Sequence, residues 1–199
     1  MSQAHGQRWH AKRHEIVDVA AGLFAGAGYH ATGTQELCEA VGLGKGALYY
    51  YVESKENLLF LIHERVMDYF LAEIGAIAEL DVSAEERLRL LGEVQLSAVA
   101  SYPDHVSVFL HEYRALTGER AERFRRSRRH FESYLESVLQ DGVFCGEFAV
   151  RNVRLAALGW LGMYNYTYLW LGRGGSPFDV QEIAAQYHEI LMSGLGVSA

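Results

Sequence analysis

Residues 28–58, GYHATGTQELCEAVGLGKGALYYYVESKENL, decide the fold. Leu37, Cys38 and Val41 recur at helical spacing and stop at Gly42, and a second short helix runs from about Lys45 to Tyr51. Short helix, glycine turn, short helix is the layout of a helix-turn-helix. The turn Val41-Gly42-Leu43-Gly44 needs Gly42 to reverse the chain with positive φ, and Leu37, Val41, Leu43 and Leu48 then form a small core between the helices. That core leaves Lys45, Gly46, Ala47, Tyr49 and Tyr50 at the start and outer face of the second helix. Ser54 reads as the N-cap of the next helix, with Asn57 at its third position and Glu56 favouring its positive end.

The same periodicity extends in both directions. Ile16, Ala20, Leu23, Phe24 and Ala27 predict a helix before the motif, stopped by Gly26-Ala27-Gly28. Leu58, Leu61, Ile62, Val66, Tyr69 and Phe70 continue the helix after it toward Leu80. Five more helices are expected, over about 84–101, 105–116, 119–140, 152–171 and 179–195. Residues 141–148 read as a turn, and Gly172-Arg173-Gly174-Gly175-Ser176-Pro177 as a linker. No alternating run is long enough for a sheet. The expectation is an all-α chain of about nine helices, with an N-terminal three-helix helix-turn-helix unit over 1–57 and a larger helical unit over 58–199.

With 199 residues, half of them hydrophobic, the chain has enough length to bury a core. The composition excludes a disordered tail, a collagen or a disulfide scaffold. Cys38 and Cys145 suggest reduced thiols in a cytoplasmic protein, although a bridge between them stays open. The polar start MSQAHGQRWHAKRHE has no apolar core for a secretory peptide. The uncharged stretch between Arg154 and Arg173 holds Asn165, Thr167, three tyrosines and three glycines, so it reads as a buried helix, not a membrane span. The net charge of −7 at first argues against a nucleic-acid partner. Its distribution changes that reading. Residues 1–57 carry five Lys/Arg against six Asp/Glu, so most of the acidity lies downstream. The implied consequences are weak non-specific DNA binding and a shallow salt dependence.

The chemistry of the motif points to duplex DNA. The N-terminal part of the second helix in such motifs enters the major groove. Lys45 supplies a cation for phosphate or guanine acceptors, while Gly46 and Ala47 permit close approach and contact with a thymine methyl. Tyr49 and Tyr50 supply hydroxyls for phosphates. Lys55 lies on the first turn of the next helix, where free N–H groups favour an anion. Thr34 and Gln35 stand at the groove edge.

Gly28-Tyr29, Thr32, Leu37, Val41-Gly42, Gly46, Leu48-Tyr49 and Ser54-Lys55-Glu56-x-Leu58 keep the register of a known pattern. Over about residues 10–60 the chain resembles the DNA-binding domain of the TetR family of repressors. It departs from the pattern at Gly33, Gly44, Ala47, Tyr51 and Val52; the hydroxyls missing at 44 and 47 concern operator sequence rather than DNA binding itself. The resemblance implies a DNA-binding domain over 1–57, a ligand-binding and dimerisation domain over 58–199, and a homodimer built through the last two helices. The segment Gly162-Met163-Tyr164-Asn165-Tyr166-Thr167-Tyr168-Leu169-Trp170 and the final helix are similar to acyl-CoA-responsive members, which implies a small hydrophobic or acyl-CoA effector. On pattern alone Met67, Phe70, Phe109, Tyr113, Phe131, Tyr134 and Asn165 are its candidate contacts.

The remaining clusters carry less. His10 and His14 stand four apart but read as solvent-facing. His105, His111 and Glu112 suggest a metal or base site only weakly, and His111 either lines a ligand cavity or satisfies a core hydrogen bond. The run of arginines at 120, 123, 125, 126, 128 and 129 reads as a solvated face paired with glutamates, or as a cationic rim for an anionic effector. Gly44-Lys45-Gly46 lacks the upstream spacing of a phosphate loop. No catalytic residue, metal site or cofactor is expected, and no enzyme. The expected function is a ligand-responsive repressor of a pseudo-palindromic operator; the alternative is a small-molecule receptor or carrier that does not bind DNA.

Overall fold

The computed structural model describes the backbone of residues 2–171 and 176–195 and the side chains from residue 6 onward. Among these residues it forms nine α-helices: α1 (Ser2–Ala27), α2 (Thr34–Val41), α3 (Lys45–Val52), α4 (Lys55–Ala78), α5 (Ala84–Ser101), α6 (Pro103–His111), α7 (Gly118–Phe144), α8 (Val153–Asn165) and α9 (Val180–Leu195). Short 3-10 turns cover Tyr113–Ala115 and Tyr166–Leu169. The expected all-α class holds.

Several boundaries differ from those expected, each for a local reason. α1 starts at Ser2 rather than Ile16 because no proline or glycine pair interrupts the polar leader, which continues as a largely exposed helix. Pro103 begins α6 after α5 ends at Ser101, because proline is tolerated at a helix start where its missing N–H is not needed. The helix expected over 105–116 therefore stops at His111 and tightens into a 3-10 turn. α7 runs four residues into the expected turn, to Phe144, and closes at Gly146 with φ +77°, where Glu147 N–H returns to Gly142 O at 2.8 Å. The helix expected over 152–171 ends at Asn165 and finishes as a 3-10 turn. Gly172–Gly175 of the expected linker lies outside the described residues.

Two compact units divide the chain: residues 1–66 with 104–125, and residues 67–103 with 126–199. The first is organised around α1. Ile16, Val17, Ala20, Ala21 and Phe24 are buried among Leu37 and Val41 of α2, Leu48 and Val52 of α3, Leu58, Leu59 and Ile62 of α4, and Val108, Leu116 and Phe124. Each fully buried Leu, Ile or Phe contributes roughly 1.5–3 kcal/mol, which is what holds helices as short as α2 and α3 in place. The second unit packs α5 against α8 and α9, with Leu88, Leu91, Leu96, Val99, Trp160, Tyr164, Ile183 and Ala184 buried. Gly92 is essential to it. A Cβ there would lie 2.3 Å from the Tyr164 hydroxyl, so only glycine lets that ring reach α5.

Candidate nucleic-acid interface and effector unit

The α2–α3 turn forms as its glycines require. Gly42 sits at φ 66°, ψ 33°, and Leu43 N–H returns to Cys38 O at 2.9 Å. Leu37, Val41 and Leu48 are buried as expected, with Leu43 half-buried against them. Lys12 on α1 donates to Val41 O at 3.4 Å, placing a cation at the negative end of α2. Gly33 caps α2 without a side chain, and Glu36 accepts from its N–H at 3.4 Å. Ser54 caps α4 by accepting from Asn57 N–H at 2.9 Å, the role its place in the sequence suggests.

α3 presents a bare front. Gly44 gives its N-terminus no side-chain cap, so the first-turn N–H groups are not satisfied by a capping side chain. Lys45, Gly46 and Ala47 are exposed, a Cβ on Gly46 would meet nothing within 4 Å, and Tyr50 is 66% exposed. The other candidates are tethered. Tyr49 is half-buried and its hydroxyl shares a hydrogen bond with Thr34 Oγ1 at 3.1 Å, joining α2 to α3. Gln35 donates to Glu39 at 3.0 Å on the exposed face of α2. The Lys55 ammonium lies 4.4 Å over the Tyr29 ring, and burial pushes its pKa down against the opposing pull of Glu112 and Glu36. α3 ends in strain: Glu53 adopts φ 62°, ψ −50°, with Ser54 N–H closing a tight turn onto Val52 O at 2.6 Å.

The effector candidates do not all fall together. Phe109 and Tyr113 belong to the first unit, where Tyr113 stacks on Phe124 at 5.9 Å and Phe109 meets it edge-on at 5.3 Å. Met67, Phe70, Phe131, Tyr134 and Asn165 belong to the second, with Phe70 and Phe131 in ring contact at 5.1 Å. Asn165 Oδ1 accepts from Gln95 Nε2 at 2.7 Å. Trp160 and Gln95, the latter missed by sequence reasoning, are both buried, with Gln95 Oε1 and Trp160 Nε1 unpartnered among the described residues. A polar residue on the apolar face of an amphipathic helix is the available signal for Gln95. An open groove of about 510 Å³ beside α9 is lined by Trp170, Phe178, Ile183 and Tyr187 and by none of the seven candidates. It forms part of an exposed apolar surface, not an enclosed chamber.

The histidines are distributed differently from the expectation. His111 is exposed, which removes both its cavity and its core-bond readings; the helix end leaves it at the surface. His63, which no pattern singles out, is wholly buried against Phe124 and Phe109, at 4.9 and 5.8 Å, with neither ring nitrogen partnered among the described residues. Burial pushes its pKa down to about 3. His105 is also buried, its Nε2 3.1 Å from Asp18 Oδ1, and desolvation lowers its pKa despite the carboxylates nearby. His10 and His14 are not buried, and no described group of three or more His, Cys, Asp or Glu is placed to hold a metal. In the arginine run, Arg120 donates to Asn57, Arg123 pairs with Glu64 and Arg128 with Glu132. Both cysteines are free thiols. No described helix is long and apolar enough to cross a membrane.

An exposed, uncapped α3 set on a glycine turn, above a core that fixes it to α2, defines a helix-turn-helix regulator of transcription. Residues 16–62 match the bacterial regulatory proteins of the tetR family, and residues 81–195 match the tetracyclin repressor-like C-terminal domain. The chain belongs to the TetR family. It is similar to the HTH-type transcriptional repressor KstR2 of Rhodococcus jostii RHA1, 28% identical over 193 residues that span 92% of this chain and 91% of that protein. The fold is that of the ketosteroid transcriptional regulator KstR2 of Mycobacterium tuberculosis, at a TM-score of 0.86 and 23% identity over 94% and 95% of the two chains. AibR, solved in complex with isovaleryl coenzyme A and operator DNA, superposes with a TM-score of 0.81 at 26% identity over 90% and 97%.

Proposed function

We propose that this regulator is a cytoplasmic repressor whose two copies grip a pseudo-palindromic operator, and that a hydrophobic or acyl-CoA effector releases it. Residues 1–57 read DNA; residues 58–199 bind effector and dimerise. The observation that carries the reading is the bare N-terminus of α3, where Lys45, Gly46, Ala47 and Tyr50 stand exposed at the surface. Lys45 and the first-turn N–H groups approach phosphate, Ala47 and Gly46 reach base edges, and Tyr49, Thr34, Gln35 and Lys55 hold the groove edge. Tyr49 acts partly through Thr34, to which it is already bonded.

The second unit supports the effector and dimer halves of the reading. Buried aromatic and aliphatic walls from Met67, Phe70 and Phe131 suit an apolar chain, and the unpartnered Gln95 Oε1 and Trp160 Nε1 suit a polar group carried on it. Leu155, Leu158 and Leu169 are 65%, 46% and 51% exposed on and just after α8, and Ile190 is 52% exposed on α9. Such a surface calls for a partner, and a second copy of the same face satisfies it by two-fold symmetry. Effector binding then favours a spacing of the two reading heads that no longer fits DNA.

Selection of sheared genomic DNA with the purified protein tests this. An enriched pseudo-palindrome, released by an acyl-CoA thioester, is the expected result. Failure to enrich any duplex at low salt favours a carrier without DNA function, and enrichment without release moves a neutral hydrophobic effector ahead of the thioester.

A further inference from the structure

The stretch joining α6 to α7, together with the first turn of α7, holds both ends of the α2–α3 pair. At the entry, the Glu112 carboxylate accepts the backbone N–H of Tyr29 at 3.1 Å, across 83 residues of sequence. Tyr29 opens the loop that delivers α2. Gly28 before it sits at φ +90°, and a Cβ there would lie 3.5 Å from Glu112 Oε1. Thr32, 1% exposed, closes the loop by donating to Gly28 O through its hydroxyl at 2.9 Å and its N–H at 3.2 Å. The Lys55 ammonium over the Tyr29 ring completes the loop's surroundings.

At the exit, Arg120 donates through Nε to Asn57 Oδ1 at 3.1 Å, and Asn57 Nδ2 donates to Val52 O, the last carbonyl of α3, at 3.1 Å. Beside it, Glu56 Oε1 accepts from both the N–H and the hydroxyl of Thr117, at 3.1 and 2.8 Å. Two of these bonds place a charged carboxylate on a backbone N–H, stronger than a neutral hydrogen bond and costly to leave half-made. Residues 112–120 fall within the stretch matched by the C-terminal family model, yet they pack with the reading head.

We infer that Glu112 is a positioning residue for DNA reading: with Thr117 and Arg120 it fixes both ends of the helix-turn-helix and so sets the angle at which α3 meets the groove. The inference rests on the DNA reading above. Glu112 touches no base in this scheme; it acts through Tyr29 and the loop to Gly33. Removing it frees that loop, so sequence-specific binding suffers while phosphate attraction does not.

Full-length wild type, Glu112→Ala, Glu112→Gln and Thr117→Val are compared in two measurements. One is amide hydrogen exchange without DNA; the other is anisotropy on the duplex enriched by wild type and on a random duplex of equal length. For Glu112→Ala we expect about tenfold faster exchange at residues 29–33 and about tenfold weaker binding to the enriched duplex, with random-duplex binding within about twofold. Glu112→Gln, which keeps an acceptor, restores both to within about threefold. Thr117→Val, milder and safe for folding, weakens specific binding by about threefold. Unchanged protection and affinity in Glu112→Ala and Thr117→Val overturn the inference, as does an equal loss on both duplexes, which marks general instability. A wild type that binds neither duplex overturns the DNA reading and this inference together; a wild type that binds while its variants match it overturns this inference alone.

Discussion

The two packing units treat apolar surface in opposite ways. In the first, Tyr50 is the one large hydrophobic side chain exposed among the described residues, and it stands on the front of α3. In the second, Phe144, Leu155, Leu158, Tyr166, Leu169, Phe178 and Ile190 are all at least 46% exposed. A unit that meets polyanionic DNA needs small, polar and cationic groups at its surface. A unit proposed to meet a copy of itself needs the reverse. Inside, the two units are alike: each places a carboxylate on a distant backbone N–H, Glu112 on Tyr29 in the first and Glu147 on Glu85 in the second, and each buries unpartnered polar atoms, at His63 in the first and at Gln95 and Trp160 in the second, among the described residues.

The contrast fails most visibly when the core beneath the reading helix is emptied. Leu48→Ala removes a side chain that is 1% exposed and should cost about 2–5 kcal/mol in urea unfolding, abolishing sequence-specific binding. A loss under about 1 kcal/mol, the level of a surface site, would show that α3 is not held as described. Next comes the apolar face. Leu155→Asp with Leu158→Asp should leave the fold intact by circular dichroism, give a monomer in sedimentation, and weaken operator binding about a hundredfold by loss of the second half-site. A variant that still sediments as a dimer would move the interface elsewhere.

Acid acts within the first unit. The folded-state pKa of His63 is lowered from 6.5 to about 3, so its neutral form is required in the fold. Its contribution is complete above the unfolded value and is lost as pH falls from about 6.5 toward 3, because the unfolded chain takes up the proton first. His63→Leu should therefore flatten the stability profile on that limb and leave the pH 7–8 region flat. A profile identical to wild type between pH 6 and about 4 would contradict the burial. The smallest effect is a gain: Glu53→Gly relieves φ 62° at the end of α3 and should stabilise by about 1 kcal/mol in calorimetry. No gain would mean that the tight turn carries no strain.

The reading head is legible in the sequence because its signals are local. A positive-φ glycine at 42, a serine cap at 54 and apolar residues at helical spacing act within a few positions, and each does in the structure what its chemistry suggests. The clamp is not legible. Glu112 reads beside His111 as a weak metal or base candidate, and nothing nearby in sequence says that its partner is the N–H of Tyr29, 83 residues away. His63 is hidden for the opposite reason, since a histidine inside an apolar run looks the same whether it faces solvent or core. Expected helix ends fail where a cap lies beyond the run, at Gly146 after α7, or where an end tightens into a 3-10 turn after His111 and Asn165. The effector candidates rest on sequence pattern alone, and pattern does not tell one packing unit from the other.

Whether α3 reads DNA from its uncapped N-terminus is decided most directly by binding of the enriched duplex to wild type and Lys45→Ala over a range of salt. The variant should bind about tenfold more weakly at an unchanged melting temperature, with a log–log salt slope smaller by about 0.9 for each phosphate it no longer neutralises, hence nearly two per dimer. Equal affinity and equal slope for the two proteins would remove Lys45, and with it the front of α3, from the DNA interface.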